Sequence, residues 1–600
     1  MRRSRHDRMD KFPQGESVGT KVILIAWMTL SNLALSQEPS AVLKKADAAY
    51  RAGQGALAQR DLNTALVDFE QVVNFAPQAE QGHSALGAVL VSLGRVKEGI
   101  YELEKALAIK STDSIAQMNL AMAYEQIGLP GKAIPLFSRC EREARLQKRT
   151  LPSYVFVGYA RSLAANHQTG LAVTKMKAAL TTDSQNAELH DEFGSLYAQQ
   201  KDWPQAQGEF ATAVEINPNL AVAHLHLGLA MLARDDKDGT TELMQAAQLA
   251  PQDITIALEL GKALAADGKD EQAIPVFQHA LDLEPGSTAA SYQLALALQR
   301  SNRAQEAIVL LKKVVAAEPN NAEAMINLGM AFCQAQDAKD AVPVLERSIA
   351  LAPDSMTAHQ NLAAAYVQLS QFGDAVVELH QALKLEPDAP QLHYNLGLAL
   401  KMQDDAADAI PELETAQRLD PSAAEAPYLL GVLYMQTGRY DDAAREMNIS
   451  LKLRPENGDG WATLGSVYDK LNKLPEATAA LREAIRQLPS QPDPHLTLAA
   501  VLVKQNQPGE AATERKRAAE LMRSNMNRQR AEVATNAGNS ALRNNDVEGS
   551  ITQFQDALSY DANYAEAHFG LAAALDRKGK TAEAAVERQK AEAVKKPGAP

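Results

Sequence analysis

The chain has 600 residues, of which 46% are hydrophobic but only 5% aromatic, and its formal net charge is -14. This composition, rich in alanine and leucine, favours an all-helical chain with core side chains of modest volume. The acidic balance argues against binding to nucleic acid, which requires a basic surface. Cys140 and Cys333 lie too far apart in the sequence for a disulfide framework or a CxxC metal or redox site.

The first 36 residues have the order of segments found in secretory signal peptides. Basic side chains precede the apolar run VILIAWMTLSNLAL, and small residues lie just before Gln37. We therefore predict a signal peptide over residues 1–36, with cleavage after Ser36, and a secreted or periplasmic protein. The apolar run is shorter than the roughly 20 residues of a membrane span, so only an uncleaved N-terminal segment would hold the protein at a membrane.

The rest of the chain is built from repeated units of about 34 residues. Prolines recur at this spacing, for example at 319, 353, 387 and 421, and between them lie two amphipathic runs separated by a polar turn. Because apolar residues recur at helical spacing and proline cannot continue a helix, each unit is predicted to be a helix, a turn and a second helix. The predicted units begin near 46, 80, 114, 151, 187, 221, 254, 288, 322, 356, 390, 424, 458, 492, 531 and 565.

These units resemble the tetratricopeptide repeat (TPR) family. Counted from Ala322, the family's Leu at position 7, Gly or Ala at 8, large residue at 11, Ala at 20 and Pro at 32 are matched by Leu328, Gly329, Phe332, Ala341 and Pro353. Small residues at positions 8 and 20 let the paired helices cross closely. The resemblance implies an all-α, right-handed superhelix of about sixteen repeats over residues 37–594, with a concave groove lined by the first helix of each repeat.

One departure from the pattern lies near the C-terminus. The unit that begins near 492 is 39 residues long and contains ERKRAAELMRSNMNRQR, which predicts an overlong second helix. Its basic side chains either bind an anionic partner or membrane surface, or lie in water as an ordinary charged helix face. These side chains are Arg515, Lys516, Arg517, Arg523, Arg528 and Arg530. Residues 595–600, which end in PGAP, are predicted to be a disordered tail.

Seven histidines share position 4 of their units. They are His83, His190, His224, His359, His393, His495 and His568. Neighbouring imidazoles are a possible metal site, but we recognise no carboxylate at a fixed spacing beside them, so core packing is the favoured interpretation. The sequence contains no HExxH, no GxSxG and no GxGxxG after a strand, so we predict no cofactor, no metal and no enzymatic activity.

Asparagine recurs at position 6 of three consecutive first helices, as Asn327, Asn361 and Asn395. We call these three residues the asparagine ladder and expect them to project into the groove, where an amide can both donate to and accept from a peptide backbone. Asn119 and Asn536 occupy the same position elsewhere. The ladder is similar to that of the repeat domain of the O-linked N-acetylglucosamine transferase, which implies peptide binding, although no counterpart of the catalytic domain is recognised. Other side chains expected in the groove are Tyr292, Tyr394, Tyr428, Gln360, Gln368, Arg300 and Lys401.

The sequence therefore predicts an exported interaction module that binds peptides or partner proteins in its groove. Two alternatives belong to other classes of function. One is a structural scaffold in envelope assembly or polysaccharide export, which binds through other faces. The other is an accessory subunit of a glycosyltransferase or protease. For the asparagine ladder itself, a further possibility is that the asparagines are ordinary solvated residues.

Overall fold

The computed structural model describes residues 41–595. The predicted signal peptide and the last five residues of the predicted tail lie outside the described residues. The described part of the chain forms 31 α-helices and no β-strand, which confirms the all-α prediction. Its helices fall into two compact units that divide between Arg303 and Ala304.

The first unit contains α1 to α15. Their bounds are α1 Ala41–Ala58, α2 Leu62–Phe75, α3 Glu80–Ser92, α4 Val96–Ile109, α5 Ser114–Gln126, α6 Pro130–Leu146, α7 Ser153–Ala165, α8 Thr169–Thr182, α9 Ala187–Gln199, α10 Trp203–Ile216, α11 Ala221–Ala233, α12 Gly239–Leu249, α13 Ile254–Ala266, α14 Asp270–Leu283 and α15 Thr288–Arg300. Each odd-numbered helix is the first helix of a repeat, and from α1 to α13 each of them packs on the helix that follows it, as α11 packs on α12.

The second unit contains α16 to α31. Their bounds are α16 Ala304–Ala317, α17 Ala322–Gln334, α18 Ala338–Leu351, α19 Met356–Gln368, α20 Phe372–Leu385, α21 Pro390–Met402, α22 Ala406–Leu419, α23 Glu425–Gln436, α24 Tyr440–Leu453, α25 Gly458–Lys470, α26 Leu474–Gln487, α27 Asp493–Lys504, α28 Pro508–Arg543, α29 Val547–Tyr560, α30 Ala565–Arg577 and α31 Thr581–Lys595. The second helix of each repeat also contacts the first helix of the next repeat, as α18 contacts α19. The repeats therefore stack on one another.

The predicted repeat frame is confirmed by the helix bounds. Eleven of the sixteen predicted starts coincide with the first residue of a helix, among them Ala322, Met356 and Pro390. The polar turn inside a repeat begins with a residue in the left-handed region, such as Gln336 with φ 62° and Ser370 with φ 60°. Such a residue ends the first helix, and the second helix begins two residues later. The right-handed twist that the resemblance implies stays a prediction.

Small residues set the distance between the two helices of a repeat. A Cβ atom added to Gly329 in α17 would lie 2.4 Å from Cγ of Leu345 in α18, closer than two carbon atoms can approach. Ala341, at position 20 of the same repeat, is fully buried. Larger side chains at these two positions would hold the helices apart and open the core between them.

α28 departs from the regular alternation of helices. It runs for 36 residues, from Pro508 to Arg543, and contacts α27, α29 and α30. The overlong second helix predicted from the sequence is therefore confirmed but extended, because it continues directly into the first helix of the next repeat. This fusion explains why sixteen predicted helix pairs give 31 helices. Within the described residues, no helix is both long enough and apolar enough to cross a membrane.

Candidate functional site

The asparagine ladder lies on three consecutive first helices of the second unit. Asn327 is on α17, Asn361 on α19 and Asn395 on α21, and each side chain is half-buried. First helices also contact one another directly, as α17 does with α19 and α21 with α23. We call the accessible side of α17, α19, α21 and α23 the first-helix face. The structure therefore places the three amides at the same position of three consecutive first helices.

The three amides differ in the hydrogen bonds they make within the protein. Nδ2 of Asn327 donates to the backbone carbonyl of Glu323 at 3.0 Å, and Oδ1 of Asn395 accepts from Nε2 of Gln391 at 2.9 Å. Nδ2 of Asn361 is shielded from solvent and has no hydrogen-bond partner among the described residues. A shielded donor without a partner costs free energy. Asn361 is therefore the ladder residue whose amide is least satisfied within the protein.

Two predicted tyrosines line a cavity of about 290 Å³ at one end of the ladder. Tyr394 belongs to α21 and Tyr428 to α23, and burial raises the pKa of both phenols. The remaining lining residues are Ala424, Glu425, Ser450, Arg454, Asn457 and Asp459. Because the lining combines aromatic rings, hydroxyl groups and charges, it suits a polar side chain of a bound peptide better than an apolar one.

Charge in this cavity is only partly compensated. Nη2 of Arg454 donates to Oε1 of Glu425 at 2.5 Å, and backbone N–H groups together with Arg454 lower the pKa of that carboxyl. Asp459 supplies a second carboxylate and raises the pKa of Tyr428 further. The cavity lining thus carries one cation and two carboxylates.

Some predicted groove residues connect neighbouring repeats. Nε2 of Gln368 donates to the backbone carbonyl of Cys333 at 3.0 Å and so joins α19 to α17. Gln360 and Lys401 are half-buried on α19 and α21. The structure places Tyr292 and Arg300 in the first unit, on α15. Their assignment to the groove stays a prediction, as does that of the rest of the set.

Arg300 is held by an ion pair within the first unit. Its Nε donates to Oδ1 of Asp270 at 2.9 Å and its Nη2 donates to the same oxygen at 2.7 Å. Asp270 is the first residue of α14, where a carboxylate is favoured by the helix dipole. Arg300 therefore links the first helix of one repeat to the second helix of the repeat before it.

The histidines at position 4 do have a carboxylate partner at a fixed spacing, so the expectation that none recurs is wrong. In His359, for example, Nδ1 lies 2.6 Å from Oε2 of Glu378, and Nε2 lies 3.1 Å from the carbonyl of Pro353. The other pairs are His83–Glu102, His190–Glu209, His224–Glu242, His393–Glu412, His495–Glu514 and His568–Glu587. The partner was missed because it lies on the second helix, usually 19 residues further along the chain.

These pairs join the two helices of a repeat across a largely buried contact. The Nδ1–Oε2 distances in the seven pairs are 2.5 to 2.7 Å. Within the described residues, no group of three or more histidine, cysteine, aspartate or glutamate side chains is placed to hold a metal ion. The geometry supports the structural interpretation of these histidines.

Comparison with protein families identifies the repeats. A TPR repeat model matches residues 365–404, and one tetratricopeptide repeat model matches residues 264–325 and 298–366. A second tetratricopeptide repeat model matches residues 43–114, 396–458, 428–492 and 535–600. Together these matches cover more than half of the chain. The chain is a tetratricopeptide repeat protein.

Similar solved structures include the TPR protein YrrB and two further proteins. YrrB, described as having an unusual peptide-binding site, is 21% identical over 30% of this chain and 95% of its own, with a TM-score of 0.29. Yeast Tom70 is 17% identical over 66% of this chain and 96% of its own, with a TM-score of 0.28. MamA from Desulfovibrio magneticus RS-1 is 24% identical over 28% of this chain and 96% of its own, with a TM-score of 0.27. A comparison with curated proteins found no match.

Position 6 of a tetratricopeptide repeat does not always face the groove. Asn119 on α5 is fully buried, and neither its Oδ1 nor its Nδ2 has a hydrogen-bond partner among the described residues. The expectation that position 6 projects into the groove is therefore wrong for this repeat. Asn536, at the same position on α28, is exposed. The neighbouring repeats decide whether an asparagine at this position is accessible.

The first unit carries charged side chains on three consecutive first helices of its tetratricopeptide repeats. Arg161 on α7 forms an ion pair with Glu192 on α9, and its Nη1 lies 3.9 Å from Oε1 of Glu125 on α5. Burial raises the pKa of both glutamates, against the opposing effect of Arg161. The three charged residues were not predicted from the sequence, although Glu192 occupies position 6 of its repeat, as the asparagines of the ladder do.

Proposed function

We propose that this tetratricopeptide repeat protein binds extended segments of other proteins on its first-helix face and has no enzymatic activity of its own. The observation that carries the proposal is the run of amides on α17, α19 and α21, which leads to the cavity lined by Tyr394 and Tyr428. Both features lie within the second unit. An amide offers two donor hydrogens and one acceptor oxygen, which matches the alternating groups of a peptide backbone.

The spacing of the helices defines how such a peptide is held. Packed helices lie about 8–10 Å apart, and an extended chain advances about 3.3 Å per residue. Consecutive asparagines therefore contact about every third residue of a bound segment. Backbone contacts give affinity without selecting a sequence, so selectivity comes from the cavity, where Glu425, Arg454 and Asp459 favour a polar side chain.

We further propose that the protein is exported. The support is the order of basic, apolar and small residues in positions 1–36. N-terminal sequencing of protein recovered from the cell envelope should then begin near Gln37. An intact Met1 or Met9 would contradict cleavage of this segment.

The binding proposal is tested by capture of partners from the native host. The full chain is compared with the triple variant Asn327→Ala, Asn361→Ala and Asn395→Ala, after circular dichroism has shown equal helicity. The matched control carries three alanines on exposed second-helix positions, Gln305→Ala, Lys339→Ala and Lys384→Ala. We expect the unaltered chain and the control to capture the same partners and the ladder variant to lose them.

A different result separates the alternatives. If all three proteins capture the same partners, the asparagines are ordinary surface and the scaffold function through other faces is favoured. Limited proteolysis of a captured complex then identifies which helices are protected. If activity toward glycosides or peptides appears only when a partner is present, the chain is an accessory subunit of that enzyme.

A further inference from the structure

α28 buries opposite sides along its two halves. Ala511 belongs to a core cluster with Leu498 and Leu502 of α27, whereas Ala531 belongs to a cluster with Ala557 of α29. With 3.6 residues per turn, the buried positions of the first half point roughly opposite to those of the second half. None of residues 519–530 is buried. The middle of α28 is therefore an exposed bridge between two packed ends.

One side of this bridge is apolar. Met522, Met526 and Val533 are spaced by four and seven residues, so they lie in one line along the helix. Their exposed fractions are 44%, 47% and 66%. Ala537, four residues beyond Val533, is also exposed. We call these four residues the α28 stripe. The stripe continues the line of the buried residues Ala511 and Ala518 in the first half of the helix.

Equivalent positions in other repeats show that the stripe lacks a partner helix. Val533 is at position 3 of its repeat, and the residues at that position in five other repeats of the second unit are between 0% and 3% exposed. They are Ala324, Ala358, Leu392, Ala426 and Ala567. In the regular stack, the second helix of the preceding repeat contacts the first helix that carries this position, as α18 contacts α19. α28 supplies both of those helices itself, so no separate helix among the described residues of the second unit takes the place over Val533.

Position 7 gives the same result. Leu328, Leu362 and Leu396 are between 0% and 3% exposed at this position, whereas Ala537 is exposed. The fused helix thus leaves open a place that a second helix fills in the regular repeats. Its size and direction suit one further helix lying along α28.

The charges around the stripe identify the chemistry of that helix. Residues 515–530 contain six basic side chains and one acidic one, Glu520, in a chain with a net charge of -14. Arg523 and Arg530 lie on one edge of the stripe, and the guanidinium of Arg530 lies 5.8 Å from the ring of Tyr560. A second copy of the chain, paired about a two-fold axis, would set these arginines against the same arginines of the other copy. That repulsion disfavours self-association and favours an acidic partner.

We propose that the α28 stripe docks an acidic amphipathic helix of another protein. The partner's apolar side chains cover Met522, Met526 and Val533, and its carboxylates pair with Arg523 and Arg530. This site is separate from the first-helix face, so the protein holds a helix of one partner while it binds an extended segment of another. It is also independent of whether the asparagine ladder binds peptides.

The test uses two designed helical peptides and the full chain. Both peptides have leucines at heptad spacing, and the flanking positions are glutamate in one peptide and lysine in the other. Fluorescence anisotropy should show binding of the glutamate peptide, with affinity that falls as salt rises. Replacement of the stripe, Met526→Ser with Val533→Ser, should weaken binding at least about tenfold, as expected for loss of central apolar contacts. The matched control is Val377→Ser on α20, where the valine is 54% exposed, and it should leave binding unchanged.

Charge reversal provides the sharpest readout. The variant Arg523→Glu with Arg530→Glu should lose the glutamate peptide and gain the lysine peptide, while far-UV circular dichroism stays the same. Equal binding of both peptides to the unaltered chain, or binding that survives loss of the stripe, would overturn the proposal. So would a concentration-dependent dimer that the stripe variant abolishes, since a second copy would then be the occupant. Vesicles of phosphatidylcholine and phosphatidylglycerol that displace the glutamate peptide would assign the face to a membrane instead.

Discussion

Replacement of Gly228 by alanine should destabilise the contact between α11 and α12. A Cβ atom at Gly228 would lie 2.7 Å from the backbone carbonyl oxygen of Gly239 and 2.9 Å from Cγ of Leu243. Ordinary carbon contacts begin near 3.4 Å, so the helices must separate by about 0.7 Å. Overpacking of this kind costs about 1–3 kcal/mol, and the better helix propensity of alanine returns up to about 1 kcal/mol. With the full gain subtracted, the expected net loss is about 0–2 kcal/mol of unfolding free energy.

The control is Gly208→Ala in the middle of α10. An added Cβ there meets no atom within 4 Å, so only the helix propensity changes and stability should rise by about 0.5–1 kcal/mol. Because long repeat arrays need not unfold in one step, hydrogen exchange of peptides from α10 to α12 is measured beside urea denaturation. Exchange in α11 and α12 should speed up only in Gly228→Ala. Equal behaviour of the two variants would refute the argument from close approach.

Three further predictions concern the core. Ala341→Leu should lower the free energy of unfolding by about 1–3 kcal/mol in urea denaturation, and an unchanged value would mean that the repeat frame is shifted. His359→Ala should lower the free energy of unfolding by about 1–3 kcal/mol because Glu378 loses its partner. A double-mutant cycle with Glu378→Ala should show a coupling energy of about 1 kcal/mol, and a coupling energy of zero would contradict the pairing. Burial raises the pKa of the Cys140 thiol to about 12 and of the Cys333 thiol to about 11. Iodoacetamide at pH 8 should therefore label both thiols slowly in the folded chain and faster after urea unfolds it. Equal labelling rates with and without urea would show that the thiols are accessible in the folded chain.

The repeat fold was predictable because several local signals agree on the same helix ends. Asn321 accepts a hydrogen bond from the amide of Ala324 at the start of α17, and Gln336 adopts a left-handed conformation after its end. The proline at position 32 then ends α18. With cap, turn and breaker at fixed offsets, the hydrophobic pattern has only one frame that satisfies all of them.

The fusion in α28 was only partly predictable, although its signal is present in the sequence. Position 32 of the repeat that begins near 492 is Arg523 instead of proline, and no glycine or proline occurs between Glu510 and Ala537. Nothing in that stretch ends a helix, so the second helix of one repeat continues into the first helix of the next. The overlong helix was predicted only as far as residue 530, because every repeat was expected to have two separate helices.

The candidate binding face was harder to predict than the fold, because accessibility at one repeat position depends on the neighbouring repeats. Asparagine at position 6 is fully buried as Asn119, half-buried as Asn361 and exposed as Asn536. One residue type in one frame position therefore has three environments. The three residues of the asparagine ladder share one environment, half-buried, because α17, α19 and α21 belong to consecutive regular repeats.

Side-chain bonds at position 13 connect neighbouring repeats. At position 13, Gln368 bonds to the carbonyl of Cys333, and Lys504 pairs with Asp469 at 2.7 Å, in each case with position 12 of the preceding repeat. The Gln368 bond helps to fix the distance between α17 and α19, which carry Asn327 and Asn361. If the asparagine ladder binds a peptide as proposed, Gln368→Ala should weaken that binding by altering the spacing of Asn327 and Asn361, whereas Asn361→Ala would remove one of the proposed contacts itself.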